Sequence, residues 1–145
     1  MRWSMLLSVN KVPRKLGKLT LDKVLTFAEK YLKLNPRLEI YIDFIKTKKF
    51  LGLYEGIDEH GETHYIDISE GESQEDIIRS IFHELVHVRQ TDDGDLSLDG
   101  NSWKGFLYKT KEMEVDYDHL PWEKEAFKLE EKMWRIYNAT YHKKC

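Results

Sequence analysis

The sequence predicts an α+β fold, and three observations predict it. Apolar residues recur at i, i+3, i+4 and i+7 between Thr20 and Leu34, three short alternating runs follow, and two long segments of helical period close the chain. The strands are therefore grouped instead of alternating with helices, as α+β folds require. With 145 residues and 41% hydrophobic content, residues 1–145 are expected to form a single domain around one core.

In chain order, the opening MRWSMLLSVNKVPRK has an apolar stretch too short for a signal peptide and no small-residue cleavage site. Helical spacing of Leu21, Val24, Leu25, Ala28, Tyr31 and Leu32 then predicts a helix over Thr20 to Leu34, ended by Asn35-Pro36. Leu38 to Phe44 (LEIYIDF), Leu51 to Ile57 (LGLYEGI) and Thr63 to Ile68 (THYIDI) alternate in polarity and predict a small three-stranded sheet. Turn-like DEHGE separates the last two.

Ser73 to Gln90 predicts the next helix. Ser73 stands three residues before Asp76 at capping-box spacing, and Glu75 and Asp76 put negative charge in the first turn, where the helix dipole favours it. With Ile77 at 0° and about 100° per residue, Val88, Ile81, Leu85, Ile78 and Phe82 form an apolar stripe between about 20° and 140°. His83 and His87 fall near 240° and 280° on a separate face, with Glu84 at its border.

These three residues belong to His83-Glu84-Leu85-Val86-His87, an H-E-x-x-H pattern. Roughly one shuffled chain in forty would show it by chance, so its helical setting matters more than the match. Histidines at i and i+4 stand one turn apart and can grip one ion. A zinc ion so held lowers the pKa of its water, and Glu84 is placed to take that water's proton and return it to a leaving group.

Zinc in such a site usually takes three protein ligands. Candidates for the third are Glu123, Glu125 and His119, all within YDHLPWEKEAF, where Pro121 introduces a helix from about Trp122. Glu123 falls inside the apolar arc of that helix, where an unpaired carboxylate is expensive to bury, so it is the first choice. Glu125 lies at the margin of the arc and is held in reserve; His119 precedes the helix and would make a three-histidine site. Glu130, also on the apolar arc, would support a ligand from behind or reach out to water.

HELVH followed by PWEKEA resembles the minimal gluzincin metallopeptidases, short zincins of phage and bacterial genomes. The resemblance covers about Tyr65 to Trp134, with HELVH its specific part. It implies a zincin-like fold, in which an N-terminal helix and small sheet precede the active-site helix and a C-terminal helix backs it. It also implies peptide-bond hydrolysis, with His83, His87 and Glu123 as zinc ligands and Glu84 as general base. The chain departs from the thermolysin-like pattern four residues beyond Glu123, where Phe127 replaces an acidic residue and leaves the partner of the first histidine unassigned. In such enzymes an edge strand pairs with an extended peptide, a role assigned here to THYIDI.

A tetrahedral intermediate needs an oxyanion donor besides the metal, and Tyr117 or His119 is the candidate. The stretch between Thr91 and Pro121 is too long for a bare connection. Its TDDGDLSLDGN lacks the glycine and glutamate of an EF-hand loop and is read as an acidic turn; Trp103 to Tyr108 is read as a short strand lining the cleft.

His60, His64 and His142 are read as turn, strand and tail residues. The charge is mixed in sign with a net of −3, so a peptide or protein substrate is expected, not nucleic acid or a membrane surface. The single Cys145 excludes an internal disulfide, and no run approaches membrane-spanning length, so a cytoplasmic protein of cell or phage is expected. Two other functions fit the same residues: a catalytically silent zincin-fold binding module, and a zinc amidase acting on cell-wall peptides.

Overall fold

A computed structural model describes residues 6–61, 63–108 and 117–141. His142 and Cys145 lie outside the described residues. Among the described residues the fold is mixed: three α-helices, a four-stranded sheet and a small two-stranded hairpin. β1 (Leu6–Asn10) is followed by α1 (Lys18–Leu32), β2 (Glu39–Ile45), β3 (Gly52–Ile57), β4 (Thr63–Ser69), α2 (Gln74–Asp92), β5 (Ser102–Trp103), β6 (Phe106–Leu107) and α3 (Pro121–Tyr141).

Strand order is β1-β2-β4-β3, with β1, β2 and β4 parallel and β3 antiparallel to β4. This corrects the expected three strands to four. LLSVN carries only a short apolar pattern, and its pairing with β2 across α1 is a long-range event that no local period announces. The order also corrects the assignment of THYIDI as the edge strand. β4 is paired on both sides, whereas β3 has a free edge among the described strands.

Strand alternation divides the sheet into two faces. Ile40, Ile42 and Phe44 of β2 and His64, Ile66 and Ile68 of β4 are buried, whereas Tyr41, Asp43, Tyr65 and Asp67 lie on the more open face. α2 lies against β3 and β4, with α1 and α3 packed on it. Val24, Leu25, Ile42, Ile66, Ile81, Phe82, Met133 and Tyr137 belong to one core. α1 stops at Leu32, two residues before its expected end, because Lys33 turns left-handed (φ 54°) and the Leu34 amide donates to the Glu29 carbonyl at 3.0 Å.

Ser73 caps α2 as its spacing predicts: its side-chain oxygen accepts from the Asp76 amide at 3.2 Å. The helix is more enclosed than a one-sided stripe suggests. Val86, beside the stripe on its far edge, is fully buried, and the opposite, histidine face is covered as well. No helix among the described residues is long and apolar enough to cross a membrane.

The stretch after α2 builds a satellite core from Leu96, Trp103, Leu120 and Trp122. WKGFLY forms a tight hairpin, not a single strand: Lys104 and Gly105 both take positive φ, as a type I′ turn requires. Trp103 points into the satellite core and Phe106 and Leu107 point outward, so the cleft is lined instead by Leu96 to Asn101. There Asp99 forms the expected acidic turn, accepting from Ser97 Oγ at 2.6 Å and from the Asn101 amide at 3.0 Å.

Candidate metal centre

Helical spacing brings the α2 histidines together, with ring centroids 5.0 Å apart and planes at 81°. The satellite core then sets the start of α3: Leu120 and Trp122 are buried in it, and the Glu123 and Lys124 amides donate to the Leu120 carbonyl at 3.0 Å. Glu123 is thereby aimed at both rings. Its Oε1 lies 2.9 Å from His83 Nε2 and 3.2 Å from His87 Nε2.

Candidate ligand atoms of His83, His87 and Glu123 all lie within 4.8 Å of one another, and the three side chains are buried. Among the described residues, this is the one such cluster of histidine, cysteine and acidic groups. The group can hold a metal ion. A tetrahedral ion with ligands at about 2.0–2.1 Å keeps its donors about 3.3 Å apart, close to the 2.9 and 3.2 Å between Glu123 Oε1 and the two imidazole nitrogens.

Electrostatics agree with that donor set. Burial opposes a charge on His83, but hydrogen bonds with Glu123 and Glu130 outweigh it and raise its pKa to about 9. Burial likewise pushes Glu123 up, and the two histidines more than reverse this, bringing it to about 2. The site thus favours positive charge on His83 beside the Glu123 carboxylate.

Each histidine is also held from behind. His83 Nδ1 donates to Glu130 Oε1 at 3.1 Å, and Glu130 Oε2 accepts from Arg79 Nε at 2.8 Å. Arg79 is shared further with Glu131 at 2.6 Å and Glu75 at 3.3 Å. Glu130 is therefore the partner of the first histidine, a full two turns beyond Glu123 on the same face. Phe127 packs on the His83 ring instead, at 4.5 Å between centroids.

His87 Nδ1 meets Gln90 Oε1 at 2.7 Å, and the Gln90 amide group donates to the Trp122 carbonyl at 3.0 Å and to Glu125 Oε1 at 2.9 Å. Glu125 is thus engaged with Gln90 and lies outside the ligand cluster. His119 is exposed and likewise outside it. Sequence reasoning missed Gln90, although three residues beyond His87 on a helix is neighbour spacing.

Tyr54 was missed as well. It stacks on His87 with centroids 6.2 Å apart and meets His64 Nδ1 at 2.8 Å. Burial raises the Tyr54 pKa to about 12 and lowers that of His64, so both groups are held neutral across this hydrogen bond.

Glu84 is buried facing the start of β3, and burial raises its pKa above the ordinary carboxylate range. Two cavities meet there, sharing Gly52, Leu53, Glu84 and Tyr117 as lining. One, of about 260 Å³, extends past His87 and Glu123 toward Ser97 and Asn101. The other, of about 500 Å³, extends past His83 toward Phe50, Leu51 and Phe127. Tyr117, about half exposed, stands on the rim of both, whereas His119 lines neither.

Comparison with protein-family models, curated proteins and solved structures gives no match to this chain. Function is accordingly a question of what the clustered side chains can do.

Proposed function

We propose that the chain is a zinc-dependent metallopeptidase of the minimal gluzincin type, hydrolysing peptide bonds with Glu84 as general base. The observation that carries this reading is the convergence of His83 and His87 of one helix with Glu123 of another, beside a buried Glu84. Two imidazoles and one carboxylate form the donor set of hydrolytic zinc sites. The same reading makes the fold zincin-like, with α2 as active-site helix and α3 as backing helix.

A zinc ion supplies a water of lowered pKa and polarises a carbonyl oxygen. Glu84 accepts the proton of the attacking water and delivers it to the leaving amine, a transfer suited to a carboxylate whose pKa is raised by burial. Tyr117, on the rim of both cavities, is the better placed of the two oxyanion-donor candidates. The free edge of β3, between the two cavities, offers backbone groups to an extended peptide substrate.

Metal analysis of the purified protein and a peptide-library cleavage assay test the proposal together. One zinc per chain is expected, with cleavage that falls by about 10²–10⁴ in Glu84→Gln while zinc stays bound. Zinc without cleavage would point instead to a binding module, and cleavage confined to cell-wall peptides to an amidase. A chain that holds no zinc would overturn the peptidase and the amidase and leave only a metal-free binding module.

A further inference from the structure

We infer that Gln90 and Glu125 are positioning residues for His87, together fixing which ring nitrogen of that histidine faces the metal centre. The inference rests on the metal-centre reading above and adds the device that prepares one of its ligands.

A neutral imidazole carries its proton on either nitrogen, and only the bare nitrogen can bind a metal. Gln90 faces a similar choice, since its amide can be turned end for end. Three contacts decide both. The Gln90 side chain is 1% exposed, and one end of its amide lies against the Trp122 carbonyl and Glu125 Oε1. Both partners are acceptors, so the NH₂ group must lie there. The amide oxygen is then the atom 2.7 Å from His87 Nδ1, which requires a proton on Nδ1. In the neutral ring the nitrogen free to bind a metal is then Nε2, the one directed at Glu123.

Glu125 gives the arrangement its direction. A carboxylate cannot donate, so it rejects a flipped amide, which would set two oxygens against each other in a half-buried place. The Trp122 carbonyl does the same from the residue preceding Glu123. One glutamine therefore ties the orientation of the second histidine to the helix start that carries the carboxylate ligand. His83 is treated differently, since Glu130 accepts from its Nδ1 directly.

The test is zinc affinity by chelator competition, with the visible spectrum of the cobalt-substituted protein as a second readout. Folding of each variant is checked by circular dichroism. Gln90→Leu, similar in volume but without hydrogen bonds, is expected to bind zinc about 10- to 100-fold more weakly and to change the cobalt spectrum. Glu125→Ala, at a half-buried position outside the core, should weaken binding in the same direction by a smaller factor.

Gln90→Glu alone sets two carboxylates together and should weaken zinc. Adding Glu125→Gln to it keeps the acceptor for His87 and supplies a donor between the two side chains, and should recover most of the affinity. A purely structural role would lower thermal stability in all four proteins without this pattern of loss and rescue. Wild-type zinc affinity in folded Gln90→Leu and Glu125→Ala, or a double variant no better than Gln90→Glu, would overturn the inference and leave the metal centre standing. A wild-type chain with no zinc affinity would overturn both.

Discussion

Gly52 and Glu84 are so close that a methyl group on the glycine would lie 3.0 Å from Glu84 Oε2 and 3.1 Å from its Cγ. Ile68 Cδ1, at 3.3 Å, blocks the other direction. The first residue of the edge strand therefore forms the wall against which the proposed general base rests, and backbone conformation does not demand the glycine, since its φ is not positive.

Gly52→Ala should displace the carboxylate while leaving His83, His87 and Glu123 untouched. A misplacement of an ångström costs catalysis on the order of 10²-fold, and the shift needed here is a fraction of that, so kcat/KM is expected to fall about 3- to 10-fold with zinc affinity unchanged. Steady-state kinetics and chelator competition on one preparation check this. Unchanged kinetics would show that Glu84 tolerates the intrusion.

Of the three sequence candidates for the carboxylate or imidazole completing the cluster, Glu123 alone lies against both histidines. Glu123→Ala should lose zinc on dialysis, and His119→Ala should retain it like wild type. Retention of zinc by Glu123→Ala would require another ligand.

Glu130→Ala should weaken zinc binding by about 10- to 100-fold, the usual effect of removing a hydrogen-bond partner behind a metal-binding histidine. It also strips Arg79 of one of its three carboxylate partners. Glu131→Ala, which removes a different Arg79 partner without touching His83, is the control and should bind zinc as wild type does. Isothermal titration separates the two.

The Glu123 and His83 contributions to the stability of the metal-free chain are both fully present between about pH 4.5 and 6.5. Glu123, lowered to about 2 in the fold, contributes stability that is present above its ordinary 4.5 and is lost as pH falls toward 2. His83, raised to about 9, contributes stability that is complete below its ordinary 6.5 and is lost as pH rises through 9. Glu84, raised by burial, contributes stability that is complete below its ordinary 4.5 and is lost as pH rises through its higher folded value. Excess zinc should abolish the His83 loss, because the ion requires deprotonated histidines. Thermal midpoints from pH 4 to 9 with EDTA or zinc would show it, and an alkaline limb equally steep with both would refute it.

A second titration lies on the open face of the sheet. Burial, a hydrogen bond with Glu55 and the nearby Asp43 raise the Asp67 pKa to about 7. Because the folded value is the higher, the stability it contributes is lost as pH rises through 7. Asp67→Asn, whose amide donates to Glu55 at every pH, should raise the thermal midpoint above pH 7 and change it little near pH 4. No difference at pH 8 would mean that Asp67 ionises freely.

Residue order alone determined the parts of this protein that obey a local period. The i, i+4 spacing put His83 and His87 on one face, Ser73 marked the start of their helix, and a carboxylate in an apolar arc singled out Glu123. Those relations repeat every 3.6 residues within one helix and need no distant partner. Tertiary structure alone decided the rest: that LLSVN pairs with β2, that β3 and not THYIDI holds the free edge, that Glu130 backs His83, and that Gly52 meets Glu84. Backbone ladders use the same N–H and C=O groups at every residue, so the sequence writes no address for them, and side chains many residues apart meet only after the whole core has packed.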